Sequence, residues 1–140
     1  MLILDTDHLV EYQKGTSAES LRLKERLAQQ RQPFCITIIS IEEIMRGWMA
    51  AIRRLREPSD QVNAYVKLRR LFQFFAVWHV LDFDQPAAQE FERLRVARTR
   101  VGTMDMKIAS IALAHRATLL TRNRSDFERV PELVIENWLT

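Results

Sequence analysis

Short apolar runs alternate along this chain with longer stretches in which apolar residues recur at every third or fourth place. The runs Leu2–Leu4, Phe34–Ile38, Val77–Leu81, Thr118–Thr121 and Leu133–Ile135 read as strands. Between them, Ile41, Ile44, Met45, Trp48, Ile52 and Leu55 form one helical stripe, and Ser40 with Glu43 three residues on has the form of a capping box. Pro58 opens a second helix, with Val62, Tyr65, Leu68 or Arg69, and Phe72 as its expected core face. Pro86 opens a third, carrying Phe91 and Leu94. Thr103 is placed to cap a fourth, Met104 to His115, with Ile108, Ile111 and Ala112 facing inward. Strands alternating with helices predict a parallel sheet built from βα units, an α/β sandwich.

This pattern gives a carboxylate a particular meaning. Asp5 follows the apolar run Met1 to Leu4, so it stands at the C-terminal rim of a buried strand, where open α/β sheets form their ligand crevices. Glu43 early in one helix, Asp105 at the start of another, and Asp126 just beyond a strand are placed to join it. Taken singly, each acid is equally well explained as a cap, a turn residue or a surface charge. Together in one crevice they repel each other, and a hard divalent cation with oxygen ligands relieves that repulsion. Asp5 and Asp105 are the expected metal ligands, and Glu43 and Asp126 are further candidates. Asn123, Asp7 and the hydroxyls of Thr6 and Thr121 are expected to surround them. Gly47, one turn after Glu43, costs a helix about 1 kcal/mol relative to Ala and leaves room for a close approach on that face.

Composition narrows the classes. At 140 residues the chain has the length of a single domain, 1–140, able to bury roughly two-thirds of its unfolded surface. No apolar run nears the roughly 20 residues that span a membrane, and the apolar start is too short for a signal peptide. The single Cys35 excludes an internal disulfide and suggests a cytoplasmic protein. The net charge is +3, and setting the candidate acids aside leaves a distinctly basic exterior, which suits a polyanionic substrate. Arg53, Arg54, Arg56, Lys67, Arg69 and Arg70 crowd the two helices around Pro58 among Phe72, Phe74, Phe75 and Trp78. A solvated basic face, phosphate contacts and a buried partner surface all fit that arm.

Other chemistries lack their residues. His8, His79 and His115 show no paired metal spacing, and His8 reads as a helix-surface residue near the pocket. Ser40, Ser110 and Cys35 have no base nearby, and no Gly-rich phosphate loop occurs. Asp82 and Asp84 read as turn and N-cap residues before Pro86. Arg122 and Arg124 flank the pocket, to pair with substrate, with the acids or with solvent.

The motifs Leu4-Asp5-Thr6-Asp7, Ser40-Ile41-Glu42-Glu43-Ile44 with Gly47, and Met104-Asp105-Met106-Lys107-Ile108-Ala109 resemble, in order and separation, those of PIN-domain nucleases. The tail from Leu120 to Phe127, followed by Val134 to Trp138, is similar to VapC toxins of bacterial toxin–antitoxin pairs, so the resemblance spans the chain. It implies a Rossmann-like PIN fold, a three-layer sandwich with a central parallel sheet of four to five strands between helices. It also implies Mg²⁺- or Mn²⁺-dependent endoribonuclease activity on an RNA substrate, a VapB-type antitoxin partner and a homodimer. Asp5, Glu43 and Asp105 match the family's acidic triad, and Asp126 or Asn123 its fourth position. The competing classes are a PIN-like binding module that does not cut and a metal nuclease of RNA processing.

Overall fold

The computed structural model describes residues 1–140. Its order is β1 (Leu2–Leu4), α1 (Thr6–Lys14), α2 (Ala18–Ala28), β2 (Phe34–Thr37), α3 (Ile38–Arg54), α4 (Pro58–Ala76), β3 (Val80–Leu81), α5 (Gln85–Val96), α6 (Thr103–Ala114), β4 (Thr118–Leu120), α7 (Arg124–Phe127) and β5 (Val134–Glu136). The strands form one parallel sheet in the order β3-β2-β1-β4-β5, with Leu2, Ile3 and Leu4 beside Thr118, Leu119 and Leu120.

Strand side chains alternate between faces, and the two cores divide accordingly. Ile3, Cys35 and Leu119 pack with Ala87 and Leu94 of α5 and with Ile108, Ile111 and Ala112 of α6. Leu2, Leu4, Ile36 and Leu120 pack with Leu9 of α1, Leu23 and Leu27 of α2, and Leu71 and Phe75 of α4. The result is the expected three-layer α/β sandwich. No helix is long and apolar enough to cross a membrane.

The order of the strands places the crevice. From β1 the chain proceeds to β2 on one side, while β4 pairs with β1 on the other, so β1 and β4 flank the topological switch point. Asp5 leaves β1 at this rim. Helix α6 returns to the sheet through β4, so its N-terminus, with Asp105, lies at the same end.

Several local expectations give way. Helix α2 has no counterpart in the sequence reading, and α1 enters it only as the helix of His8; α1 buries His8 and Glu11 as well as Leu9 and so breaks the apolar stripe. Gly15 ends α1 at φ 77°, a left-handed conformation that favours glycine. The cap of α3 is Thr37, whose hydroxyl accepts the Ser40 N–H at 3.2 Å; Ser40 is inside the helix, so Glu43 is one turn beyond a capping box. Helix α6 starts at Gly102 without a side-chain cap, displacing Thr103 to its first turn. Asp84 does cap α5, accepting from the Ala87 N–H at 3.1 Å.

The α4 stripe is inverted. Ala64, Leu71 and Phe75 face the core, while Val62, Tyr65 and Phe72 are 65%, 54% and 58% exposed. Both faces carry apolar residues at helical spacing, so periodicity alone does not choose between them. Phe74 and Trp78 pack with Tyr12, and Trp78 also meets Phe34, so these half-buried aromatics pack on one another against the molecule's own core.

Candidate active site

Asp5 is buried at the end of β1, where its backbone N–H still pairs with Leu120 O at 2.9 Å. It also caps α1: Oδ1 accepts the Thr6 N–H at 2.8 Å, and Oδ2 accepts the Thr121 hydroxyl at 2.7 Å. Burial raises the Asp5 pKa to about 7, with repulsion from Asp7 and Asp105 adding to it and the two hydrogen bonds opposing it. Burial wins.

Thr6 carries the link to α3. Its Oγ1 stands 3.0 Å from both Ser40 Oγ and Glu43 Oε1. The Glu43 carboxyl is also pushed above its ordinary value, by burial and by Asp105 and Glu42, against the Thr6 hydrogen bond. On the opposite wall the Asn123 amide donates to Asp105 Oδ2 at 3.2 Å and to Asp126 Oδ2 at 3.0 Å. Burial and the charges of Asp126 and Asp7 raise Asp105 in turn. The four predicted acids are therefore coupled, and Thr6, Thr121 and Asn123 are the polar groups between them.

Asp126 lies in the short helix α7, where the sequence suggests only a turn. Asn123 and Asp126, alternatives for one position in the sequence, occur side by side. Asp7 differs from the acids around it. One oxygen accepts the Arg122 N–H at 2.9 Å and the other meets His8 Nδ1 at 2.6 Å. Burial pushes its carboxyl up, but these hydrogen bonds prevail and hold it below the usual range.

His8 is a correction. It is fully buried, because the carboxyl-terminal residues Trp138 and Leu139 close over α1. Arg122 and Arg124 pair with Glu19 and Glu128, not with the site acids. Ser40 is the one site contact whose role the sequence misassigns. Beside Glu43 a groove of about 450 Å³ runs between Thr6, Val10, Ile44, Gly47, Trp48 and Ala51. A Cβ at Gly47 meets nothing within 4 Å, so no other part of this chain fills the space that the glycine leaves.

The PIN domain family matches residues 2–133, nearly the whole chain and all of the site. The chain belongs to the PIN-domain family. This PIN domain is 35% identical over 140 residues to ribonuclease VapC2 of Rickettsia felis, covering 97% of the chain and 96% of that protein. It is 28% identical to the tRNA(fMet)-specific endonuclease VapC of Salmonella typhimurium, over 83% of each chain. The DNA-bound VapBC structure from Salmonella typhimurium has a like fold, with a TM-score of 0.76 at 27% identity over 98% of this chain and 97% of that one. The resemblance to the VapC toxins in the tail of the sequence is thereby borne out, and the Rossmann-like PIN fold with it.

Proposed function

We propose that this PIN domain is a Mg²⁺-dependent endoribonuclease and the toxin of a toxin–antitoxin pair. The observation that carries the reading is the set of coupled acids at the switch point, three of them with raised pKa values, in a chain similar to VapC ribonucleases along its length. Divalent-metal dependence is general among PIN-domain nucleases. The donor set fits a hard cation, since all the converging groups are oxygens and their repulsion is what ionisation of the site must overcome. No three acidic, His or Cys side chains converge closely enough to enclose an ion by themselves. Mg²⁺ takes one or two carboxylates and keeps several waters. Mn²⁺ suits the same ligands.

Asp5 and Asp105 are the proposed ligands, with Glu43 and Asp126 orienting the surrounding waters. When bound, the cation lowers the pKa of a water and polarises a phosphate oxygen. Thr121 and the Thr6 N–H fix the Asp5 carboxyl, Thr6 fixes Glu43, and Asn123 fixes Asp105 and Asp126. Hydrolysis at phosphorus leaves 5′-phosphate and 3′-hydroxyl ends and needs no nucleophilic side chain. A VapB-type antitoxin is the partner proposed from the VapBC neighbours. For its docking surface we propose the apolar groove of Val10, Ile44, Trp48 and Ala51 beside Glu43, which is open at Gly47. A binding module that does not cut is disfavoured, because an RNA binder gains nothing from clustered negative charge.

The test is cleavage of total cellular RNA by the purified protein with Mg²⁺, with EDTA, and by Asp5→Ala. Discrete fragments confined to the Mg²⁺ sample of the unaltered protein support the reading. Equal cleavage by a folded Asp5→Ala protein overturns it.

A further inference from the structure

A buried histidine has to spend its ring nitrogens somewhere, and His8 spends one on the carboxyl-terminal segment and the other on a group that leads toward the acids. Its Nε2 faces the Trp138 backbone N–H at 3.1 Å. An N–H donates, so Nε2 is the acceptor and the ring proton sits on Nδ1, directed at Asp7 Oδ1 2.6 Å away. The second Asp7 oxygen accepts the Arg122 N–H at 2.9 Å. Arg122 stands between Thr121, which donates to Asp5, and Asn123, which donates to Asp105 and Asp126. The Asn123 N–H returns to Thr121 Oγ1 at 3.0 Å, closing the turn on itself.

The carboxyl-terminal segment is anchored independently. Trp138 is buried and the Arg26 guanidinium lies over its ring at 4.0 Å, while the Thr121 N–H to Glu136 O bond of 2.8 Å joins the segment directly to the turn. One end of the chain of hydrogen bonds is therefore fixed in the core, and the other is the turn bearing the donors to three acids.

We propose that His8 is a positioning residue: its Nδ1–H holds Asp7 against the Arg122 N–H, and so sets where the Thr121–Asn123 turn holds Asp5, Asp105 and Asp126. The inference rests on the nuclease reading only for its effect on turnover. The physical link itself is independent of what the protein cuts.

Two substitutions divide the ring's two bonds. His8→Asn puts an amide N–H where Nδ1 stands and retains the bond to Asp7, while giving up the acceptor for Trp138. His8→Gln places its carbonyl where Nε2 stands and retains the Trp138 bond, while giving up Asp7. Both are expected to lower Tm. His8→Gln is expected to lower kcat by about tenfold to a hundredfold, the scale of a small misplacement of reacting groups, with KM changed less than about twofold. It is also expected to speed hydrogen exchange at the Arg122 amide. His8→Asn is expected to keep kcat and Arg122 protection near those of the unaltered protein. Asp7→Asn serves as a second disruption of the same link and is expected to behave as His8→Gln does.

Equal losses of kcat in His8→Asn and His8→Gln, following Tm alone, overturn the proposal. So does full Arg122 protection in both His8→Gln and Asp7→Asn. If the unaltered protein cleaves no RNA, the nuclease reading fails, and the exchange contrast at Arg122 still decides the link.

Discussion

The Thr121 hydroxyl donates to Asp5 Oδ2 at 2.7 Å, joining residues 116 positions apart in the chain. The two follow adjacent parallel strands, β1 and β4, so the sheet register delivers donor and acceptor to the same rim. A neutral donor beside a buried acid lowers its pKa, and here that effect is smaller than the cost of burial.

Thr121→Val keeps the shape of the side chain and removes this donor. The loss of a hydrogen bond to a charged group is on the order of 1.5–3 kcal/mol for the ionised Asp5. RNA cleavage at neutral pH is expected to fall by at least about tenfold. The metal-free protein at pH 5, where Asp5 is protonated, is expected to lose less stability than at pH 8. Urea unfolding at both pH values and single-turnover cleavage check this; equal cleavage by the variant would sink the assigned role.

Asp5 also sets a pH dependence whose sign is the reverse of the usual carboxylate. Its folded pKa is about 7, against 3.8 ordinarily, so between those values the folded state holds a proton that the unfolded chain has released. Stability of the metal-free protein is therefore fullest below about pH 4 from this group and falls as pH rises through about 7. The span corresponds to about 4 kcal/mol at most. The raised values of Glu43 and Asp105 act in the same direction. Asp5→Asn is expected to flatten the decline, and Mg²⁺ to raise stability more at pH 8 than at pH 5. Denaturant midpoints across this range decide it, and a metal-free protein that gains stability from pH 5 to pH 8 contradicts the assignment.

What the sequence disclosed follows from what pattern alone determines. A carboxylate after a buried strand must lie at a sheet rim, so Asp5 was legible, and Asp105 at a helix start likewise. The apolar runs marked every strand, though Val77 proves to close α4 and Ile38 to open α3. The contacts of His8 depend on Trp138, 130 positions away, and nothing local in α1 announces them. Ser40 looked like a cap because its own position fits one; only the backbone shows that Thr37 takes that place. In α4 the choice between Val62-Tyr65-Phe72 and Ala64-Leu71-Phe75 is made by tertiary packing, which buries the second set, Leu71 and Phe75 in one cluster with Leu9, Leu23 and Ile36, and leaves the first exposed.

Gly47 separates stability from access. It lies within α3, and a Cβ there meets open space. Gly47→Ala is expected to stabilise the fold by about 0.5–1 kcal/mol, the helix cost of glycine relative to alanine. Gly47→Phe projects a ring into the groove beside Glu43 and is expected to leave folding cooperative while weakening antitoxin binding at least about tenfold. Thermal unfolding of both variants and titration with the antitoxin measure the two effects. Unchanged affinity in Gly47→Phe removes the groove from the antitoxin surface.

Asn123 tests whether the wall opposite Glu43 is held together by one amide. Its two donor directions satisfy Asp105 and Asp126, and at Asp105 the amide opposes burial and the charges of Asp126 and Asp7, which together raise that pKa. Asn123→Ala removes the bridge and leaves two carboxyls in mutual repulsion. Without metal, the variant's Asp105 is expected to take up a proton more readily than in the unaltered protein. Mg²⁺ affinity at pH 6 is then expected to fall at least about fivefold, and less at pH 8, where Asp105 ionises more readily. Asn123→Asp adds a negative charge without a donor and is expected to show the larger pH effect, because the new charge raises Asp105 further. Calorimetric titration at the two pH values distinguishes this from a loss of RNA contact, which leaves metal affinity unchanged. If neither variant alters Mg²⁺ binding at pH 6, the amide positions substrate instead of the acids.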